Sequence, residues 1–108
     1  MMEDCLFCKI ISKQIPSDMV FENGEIVAFN DIHPKAKTHI LIVPKKHIPT
    51  INDLNENEED EILVGKMMLV ARDIAKQKKL SGYNLVFNVG KTAGQIVFHI
   101  HLHLMSNG

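Results

Sequence analysis

The most regular pattern of apolar and polar positions lies near the end of the chain, where histidine alternates with aliphatic residues without a break in His99-Ile100-His101-Leu102-His103-Leu104. A period of two is that of a strand whose side chains point to opposite faces. The run therefore predicts a strand over Phe98 to Met105, with three imidazoles on one face and Ile100, Leu102 and Leu104 on the other. Upstream, Met19 to Glu22 and Ile26 to Asn30 read as strands joined at Asn23-Gly24, a strong hairpin signal. Thr38 to Pro44 reads as a third strand ended by its proline, and Tyr83 to Val89 as another. Asp4 is placed to cap a short helix from about Cys5 to Ser12, which must stop ahead of Ile15-Pro16 because a residue before proline avoids helical backbone. One long helix is expected from Asn55 or Asn57 to Lys79, closed by Ser81-Gly82. Glu56, Glu58, Glu59, Asp60 and Glu61 crowd its start and Lys76, Lys78 and Lys79 its end, as the helix dipole favours. Its apolar face carries two stripes, Leu63, Met67, Val70 and Ile74 beside Val64, Met68, Ala71 and Ala75. That face is wider than packing on one small sheet requires. Strands clustered and joined in this order predict an α+β fold with a mainly antiparallel sheet.

Composition narrows the function. A length of 108 residues predicts one domain over 1–108, and 45% hydrophobic with 23% charged residues is ordinary for a folded protein. The net charge is −1 with no basic run, which argues against long nucleic acid but leaves mononucleotides open. No stretch has the length of a membrane span and the start lacks an apolar leader. A cytoplasmic protein with no membrane partner is expected, and there the Cys5-x-x-Cys8 pair points to metal or redox chemistry before a disulfide.

The histidines cannot all serve one ion. Same-face strand positions are about 6.6 Å apart, so His99 and His103 start about 13 Å apart, too far for Zn–N bonds of about 2.1 Å. The imidazoles must divide into roles. One suited to histidine is attack on phosphorus, because a pKa of about 6.5 leaves a neutral nitrogen near pH 7. Gly90-Lys91-Thr92-Ala93-Gly94-Gln95 is a glycine-containing loop leading into this strand; it is not a Walker A loop, since Leu85 stands where that pattern needs glycine. Cys5 and Cys8 offer two thiolates, and with no second Cys-x-x-Cys the other ligands of a tetrahedral site must be histidines.

The run His99 to Met105, with Gly94-Gln95 before it, resembles the motif of the histidine triad (HIT) superfamily, and the chain from Cys5 onward is similar to its Hint branch, the nucleoside phosphoramidate hydrolases. The resemblance implies five mainly antiparallel strands, one short and one long helix, and a homodimer. It makes His101 the nucleophile toward the α-phosphorus of a purine mononucleotide derivative, through a nucleotidyl-histidine. His103 would touch the phosphate or aid proton transfer, or would only orient His101. Asn88, Gly94 and Gln95 would hold phosphate, Asp31 the ribose, and Leu6, Phe7, Phe29 and Ile32 the base. Cys5, Cys8, His47 and His99 would bind a structural zinc. His39 matches a position that supports the site, whereas His33 reads as a solvated loop residue. The substrates implied are adenosine phosphoramidate or aminoacyl-adenylate; the alternatives are dinucleoside polyphosphate hydrolysis or nucleotidyl transfer as in other branches, and a zinc-stabilised nucleotide-binding scaffold. Two departures stand out: Ile96 replaces the serine that close relatives carry after Gly-Gln, and only Ser106-Asn107-Gly108 follow the triad strand, where an aromatic tail is frequent.

Overall fold

The computed structural model describes residues 4–108. The elements follow the expected order: α1 (Leu6–Ile11), β1 (Met19–Glu22), β2 (Ile26–Asn30), β3 (Thr38–Pro44), α2 (Glu58–Gln77), β4 (Asn84–Val86) and β5 (Leu102–Ser106). The strands form one antiparallel sheet in the order β1-β2-β3-β5-β4. Asn23 makes the first hairpin tight by accepting the Glu25 and Ile26 N–H groups on its own Oδ1, both at 2.8 Å, the local bond that suits asparagine to turns.

Each face of the sheet is covered by one helix. Ile26 and Ala28 of β2, Ile40 and Ile42 of β3, and Leu102 and Leu104 of β5 pack with Leu63, Met67, Ala71 and Ile74 of α2. Val27, Phe29, Leu41 and Val43 point the other way and pack with Phe7 and Ile10 of α1. Strict alternation along β2 and β3 thus buries both faces. The outer part of α2 stays open, with Ile62, Met68 and Leu69 exposed. No helix among the described residues is long and apolar enough to cross a membrane.

Four local expectations are corrected. The cap of α1 is Cys5, whose Sγ accepts the Cys8 N–H at 3.4 Å, not Asp4. Helix α2 begins at its Asn57 cap and ends at Lys78, with Lys79 at φ 56°. The Leu80 N–H then reaches Ala75 O and the Lys79 N–H reaches Lys76 O, a Schellman ending that closes the helix before Ser81-Gly82. Strand β4 is shorter than Tyr83 to Val89, its last pair with β5 being Val86 with His103. Strand β5 begins only at Leu102, so His99 and His101 precede the ladder. Pro44 ends β3 and has no N–H to offer beyond it. Instead the Ile100 N–H donates to Ile48 O at 2.7 Å, in the segment that follows. The faces nonetheless alternate as expected, because Ile100 joins the α2 side of the core while His99 and His101 meet Phe7 on the other.

Candidate active site and metal centre

Two histidine clusters lie side by side on the face away from α2. In the first, Cys5 and Cys8 from the start of α1, His47 from the segment after β3, and His99 bring one donor atom each within 4.8 Å of one another. Lys46, next to His47, ties this segment to α2 through Asp60, whose buried carboxylate accepts from its Nζ at 2.8 Å and from the Asn55 N–H at 2.7 Å. His99 Nε2 lies 2.7 Å from the Pro44 carbonyl; an oxygen there only accepts, so Nε2 carries the hydrogen and Nδ1 is a bare lone pair. That Nδ1 stands 3.4 Å from Cys5 Sγ, 3.5 Å from Cys8 Sγ and 3.2 Å from His47 Nδ1, which is itself 3.3 Å from Cys8 Sγ. Two sulfurs and one imidazole nitrogen thus crowd the single His99 Nδ1 lone pair at 3.2 to 3.5 Å, more contacts than one lone pair accepts as hydrogen bonds, and a shared cation would relieve them. Burial, with Cys5 beside it, pushes the Cys8 thiol up to about 11, and burial takes His99 down to about 4. A bound cation reverses the first effect by stabilising thiolate.

In the second cluster, His101 is buried and packs edge-on against Phe7, with centroids 4.9 Å apart. Its Nδ1 donates to the His99 carbonyl at 2.8 Å, which leaves Nε2 unprotonated. Burial chiefly holds its pKa below the ordinary imidazole value, against the pull of the His99 carbonyl and Asp31. His103 lies next to it, with ring centroids 4.9 Å apart, and burial with the neighbouring His101 and His39 lowers it to about 4. His39, on β3 and diagonal to His103 in the β3–β5 ladder, places Nε2 2.9 Å from His103 Nδ1. Asn88 lies beyond the end of β4 with its amide 3.4 Å from His103 Nε2.

Comparison with known proteins places this arrangement. A family model described as scavenger mRNA decapping enzyme C-term binding matches residues 4–108. The chain is 45% identical over 105 residues to Protein HitA of Neisseria gonorrhoeae, covering 96% of each. It is 45% identical over 107 residues to purine nucleoside phosphoramidase of Escherichia coli K12, covering 97% of this chain and 88% of that one. Among solved structures, a HIT family hydrolase from Legionella pneumophila Philadelphia 1 superposes with a TM-score of 0.92 at 50% identity, covering 97% of this chain and 94% of that one. A histidine triad protein from Clostridium difficile superposes with a TM-score of 0.90 at 38% identity, covering 97% and 91%. The chain belongs to the histidine triad family.

The remaining candidate residues of this histidine triad protein are differently disposed. Asp31, just past β2, sets Oδ2 3.5 Å from His39 Nε2 and accepts the His33 N–H on Oδ1 at 2.9 Å. Phe7 and Phe29 pack edge to face at 5.5 Å and are buried, whereas Leu6 and Ile32 are exposed. The loop before His99 makes a short 3₁₀ turn over Lys91–Ala93 between Gly90 at φ 87° and Gly94 at φ 95°, backbone that only glycine adopts without strain. A Cβ on Gly94 would meet no protein atom within 4 Å, so its flank is open to a ligand. Gln95 is buried and committed to the loop: Oε1 accepts the Gly90 N–H, Nε2 donates to Pro49 O and Val97 O, and its own N–H donates to Gly90 O. It shapes the loop, with its amide groups turned inward. A cavity of about 350 Å³ lined by Lys35, Tyr83, Asn84, Met105 and Asn107 lies at the far end of β5 and includes none of the imidazoles. The imidazole geometry, not this cavity, therefore locates the site. The contact the sequence alone left vague is the His39–His103 bond, whose only sequence signal was one more histidine on an adjacent strand.

Proposed function

We propose that this histidine triad hydrolase cleaves purine nucleoside 5′-monophosphate derivatives of the phosphoramidate or acyl-adenylate type. The enzyme is a nucleotide hydrolase by kinship with purine nucleoside phosphoramidase and a HIT family hydrolase. The observation that carries the finer reading is the His101 tautomer. With Nδ1–H held by the His99 carbonyl, the lone pair on Nε2 is the nucleophile. A bond forms from Nε2 to the α-phosphorus as the bond from phosphorus to the leaving group breaks, the leaving group taking a proton from solvent. Water then attacks phosphorus, the N–P bond breaks, and nucleoside monophosphate leaves. His103, Asn88 and the open flank of Gly94 are the groups assigned to the phosphate, Asp31 to the ribose, and Leu6 and Ile32 to the base. Adenosine phosphoramidate and diadenosine polyphosphates offered side by side test this reading. The expected result is the higher kcat/KM on the phosphoramidate; a preference for the polyphosphate refutes it.

The ligand set of the first cluster supports a structural zinc. A tetrahedral zinc with bonds of about 2.1 Å to nitrogen and 2.3 Å to sulfur has N–N edges of about 3.4 Å and N–S edges of about 3.6 Å. The separations of 3.2 to 3.5 Å lie within a few tenths of these. Cys5, Cys8, His47 and His99 would hold the ion, which would supply no step of the reaction and would fix α1 to the His99 segment. Two thiols kept reduced for a metal accord with a cytoplasmic location.

The exposed Ile62, Met68 and Leu69 on α2 are the apolar surface a homodimer would cover. Light scattering at micromolar concentration is expected to give twice the 12.2 kDa chain mass; a monomer alone refutes the assignment.

Ile96 directs a further prediction. A serine hydroxyl at this position would offer one hydrogen bond to the leaving group, worth roughly 0.5 to 1.5 kcal/mol, or about two- to twelvefold in rate. Ile96→Ser should raise kcat/KM on a phosphoramidate by that factor and much less on a nitrophenyl ester. Since Ile96 is 86% exposed, no apolar burial is lost and the melting temperature should not fall, contrary to what an apolar residue beside a core strand leads one to expect. An unchanged phosphoramidate rate in a folded variant would show either that Ile96 does not border the scissile bond or that His103 alone assists the leaving group.

A further inference from the structure

The hydrogen bonds around His39 have a direction. The Lys35 N–H donates to His39 Nδ1 at 3.0 Å, and a backbone amide can only donate. His39 Nδ1 is therefore the acceptor and Nε2 carries the hydrogen. Nε2 lies 2.9 Å from His103 Nδ1, so it donates there, and the remaining hydrogen of neutral His103 is on Nε2. We propose that His39 is a positioning residue that locks His103 in its Nε2–H tautomer, making His103 a fixed hydrogen-bond donor to the substrate phosphate or leaving group. This rests on the assignment of His101 as nucleophile, beside which His103 Nε2–H then points.

The lock has a chemical consequence. Gaining a second proton on Nδ1 would set two N–H groups against each other across 2.9 Å. Losing the Nε2 proton would require Nδ1 to take one from His39, and His39 could recover it only from a backbone amide, which does not release it. His103 thus donates a hydrogen bond that it keeps, and the leaving group takes its proton from solvent. Asp31, His39 and His103 also bring donor atoms within 4.8 Å of one another, gathered around the hydrogen on His39 Nε2. Asp31 Oδ2, 3.5 Å from His39 Nε2, lies on the same hydrogen as a weaker acceptor. Asn88 Nδ2 lies 3.4 Å from His103 Nε2, and since both carry hydrogens in this tautomer they do not bond to each other but are two donors placed to share one anionic oxygen.

The test uses the whole protein labelled with ¹⁵N and long-range proton–nitrogen correlation of the imidazoles. His103 is expected as the Nε2–H tautomer in the wild type and in His39→Gln, whose amide can accept from the Lys35 N–H and donate to His103. In His39→Glu the carboxylate accepts from His103 Nδ1–H and should reverse the tautomer. His39→Gln should keep kcat on adenosine phosphoramidate within about threefold, and His39→Glu should lower it at least about tenfold, more than it changes KM. A His103 Nδ1–H tautomer in the wild type, or equal rates for the Gln and Glu variants, overturns the proposal. Should His39→Glu not fold, the wild-type spectrum and the rate of His39→Gln decide it. A wild-type protein that shows the Nε2–H tautomer but does not turn over phosphoramidate would leave the lock standing and refute the functional reading instead.

Discussion

His101→Ala is expected to lower kcat on adenosine phosphoramidate by on the order of 10⁴-fold or more, the scale seen when a covalent nucleophile is removed, while nucleotide affinity stays within about tenfold. The asymmetry follows from the role. A nucleophile contributes little to ground-state binding and nearly everything to the transition state. His101 also fills space against Phe7 and bonds to the His99 carbonyl. The variant should therefore lose some stability, on the order of 1 to 3 kcal/mol for a buried truncation. Melting must be measured beside turnover so that the rate is expressed per folded molecule. In the wild type, rapid quenching with mass spectrometry should trap a nucleotidyl adduct on His101. Equal losses of binding and rate in the folded variant would count against the assignment. An adduct on any other residue would refute it.

Cys5→Ala is expected to lower the melting temperature by more than about 10 °C, on a scale of roughly 4 to 8 °C per kcal/mol for a domain near 100 residues, while turnover per folded molecule falls much less. Protein prepared without chelator should carry one zinc per chain by elemental analysis, and the variant substantially less. Cys5 is at once a donor of the cluster and the cap of α1. If the cluster holds zinc, its loss would release the ion and loosen α1, and with α1 the cover that Phe7 and Ile10 give to Val27, Phe29, Leu41 and Val43. Binding energy for a structural metal is folding energy, because the ligands are not assembled in the unfolded chain. A strong chelator should reproduce the effect in the wild type. Metal-free protein at full yield and unchanged melting temperature would remove the assignment of Cys5, Cys8, His47 and His99.

Much of this protein was readable as pattern. The order of elements, the antiparallel sheet, the Asn23-Gly24 hairpin and the buried stripe of α2 follow from periods of two and 3.6 and from turn chemistry, which act locally. The sidedness of the triad run was equally legible, since Ile100, Leu102 and Leu104 had to face a core. Where β5 begins was not, because a ladder needs a partner, and Pro44 withdraws that partner at a point the His-rich run cannot register. The cap of α1 shows the same limit: Asp4 has the better side chain for capping, but the turn through Cys5 and Cys8 places Cys5 Sγ on the Cys8 N–H. Phe7 reads as an aromatic near the amino terminus, yet only packing of α1 on the sheet sets its ring against His101. The tautomers were out of reach altogether. Three hydrogens on three rings are fixed by the Pro44 carbonyl, the His99 carbonyl and the Lys35 amide. The sequence by itself determined that imidazoles would line one face of the sheet; the tertiary structure decided which nitrogen of each is free, because that depends on a backbone group brought within 3 Å by the fold.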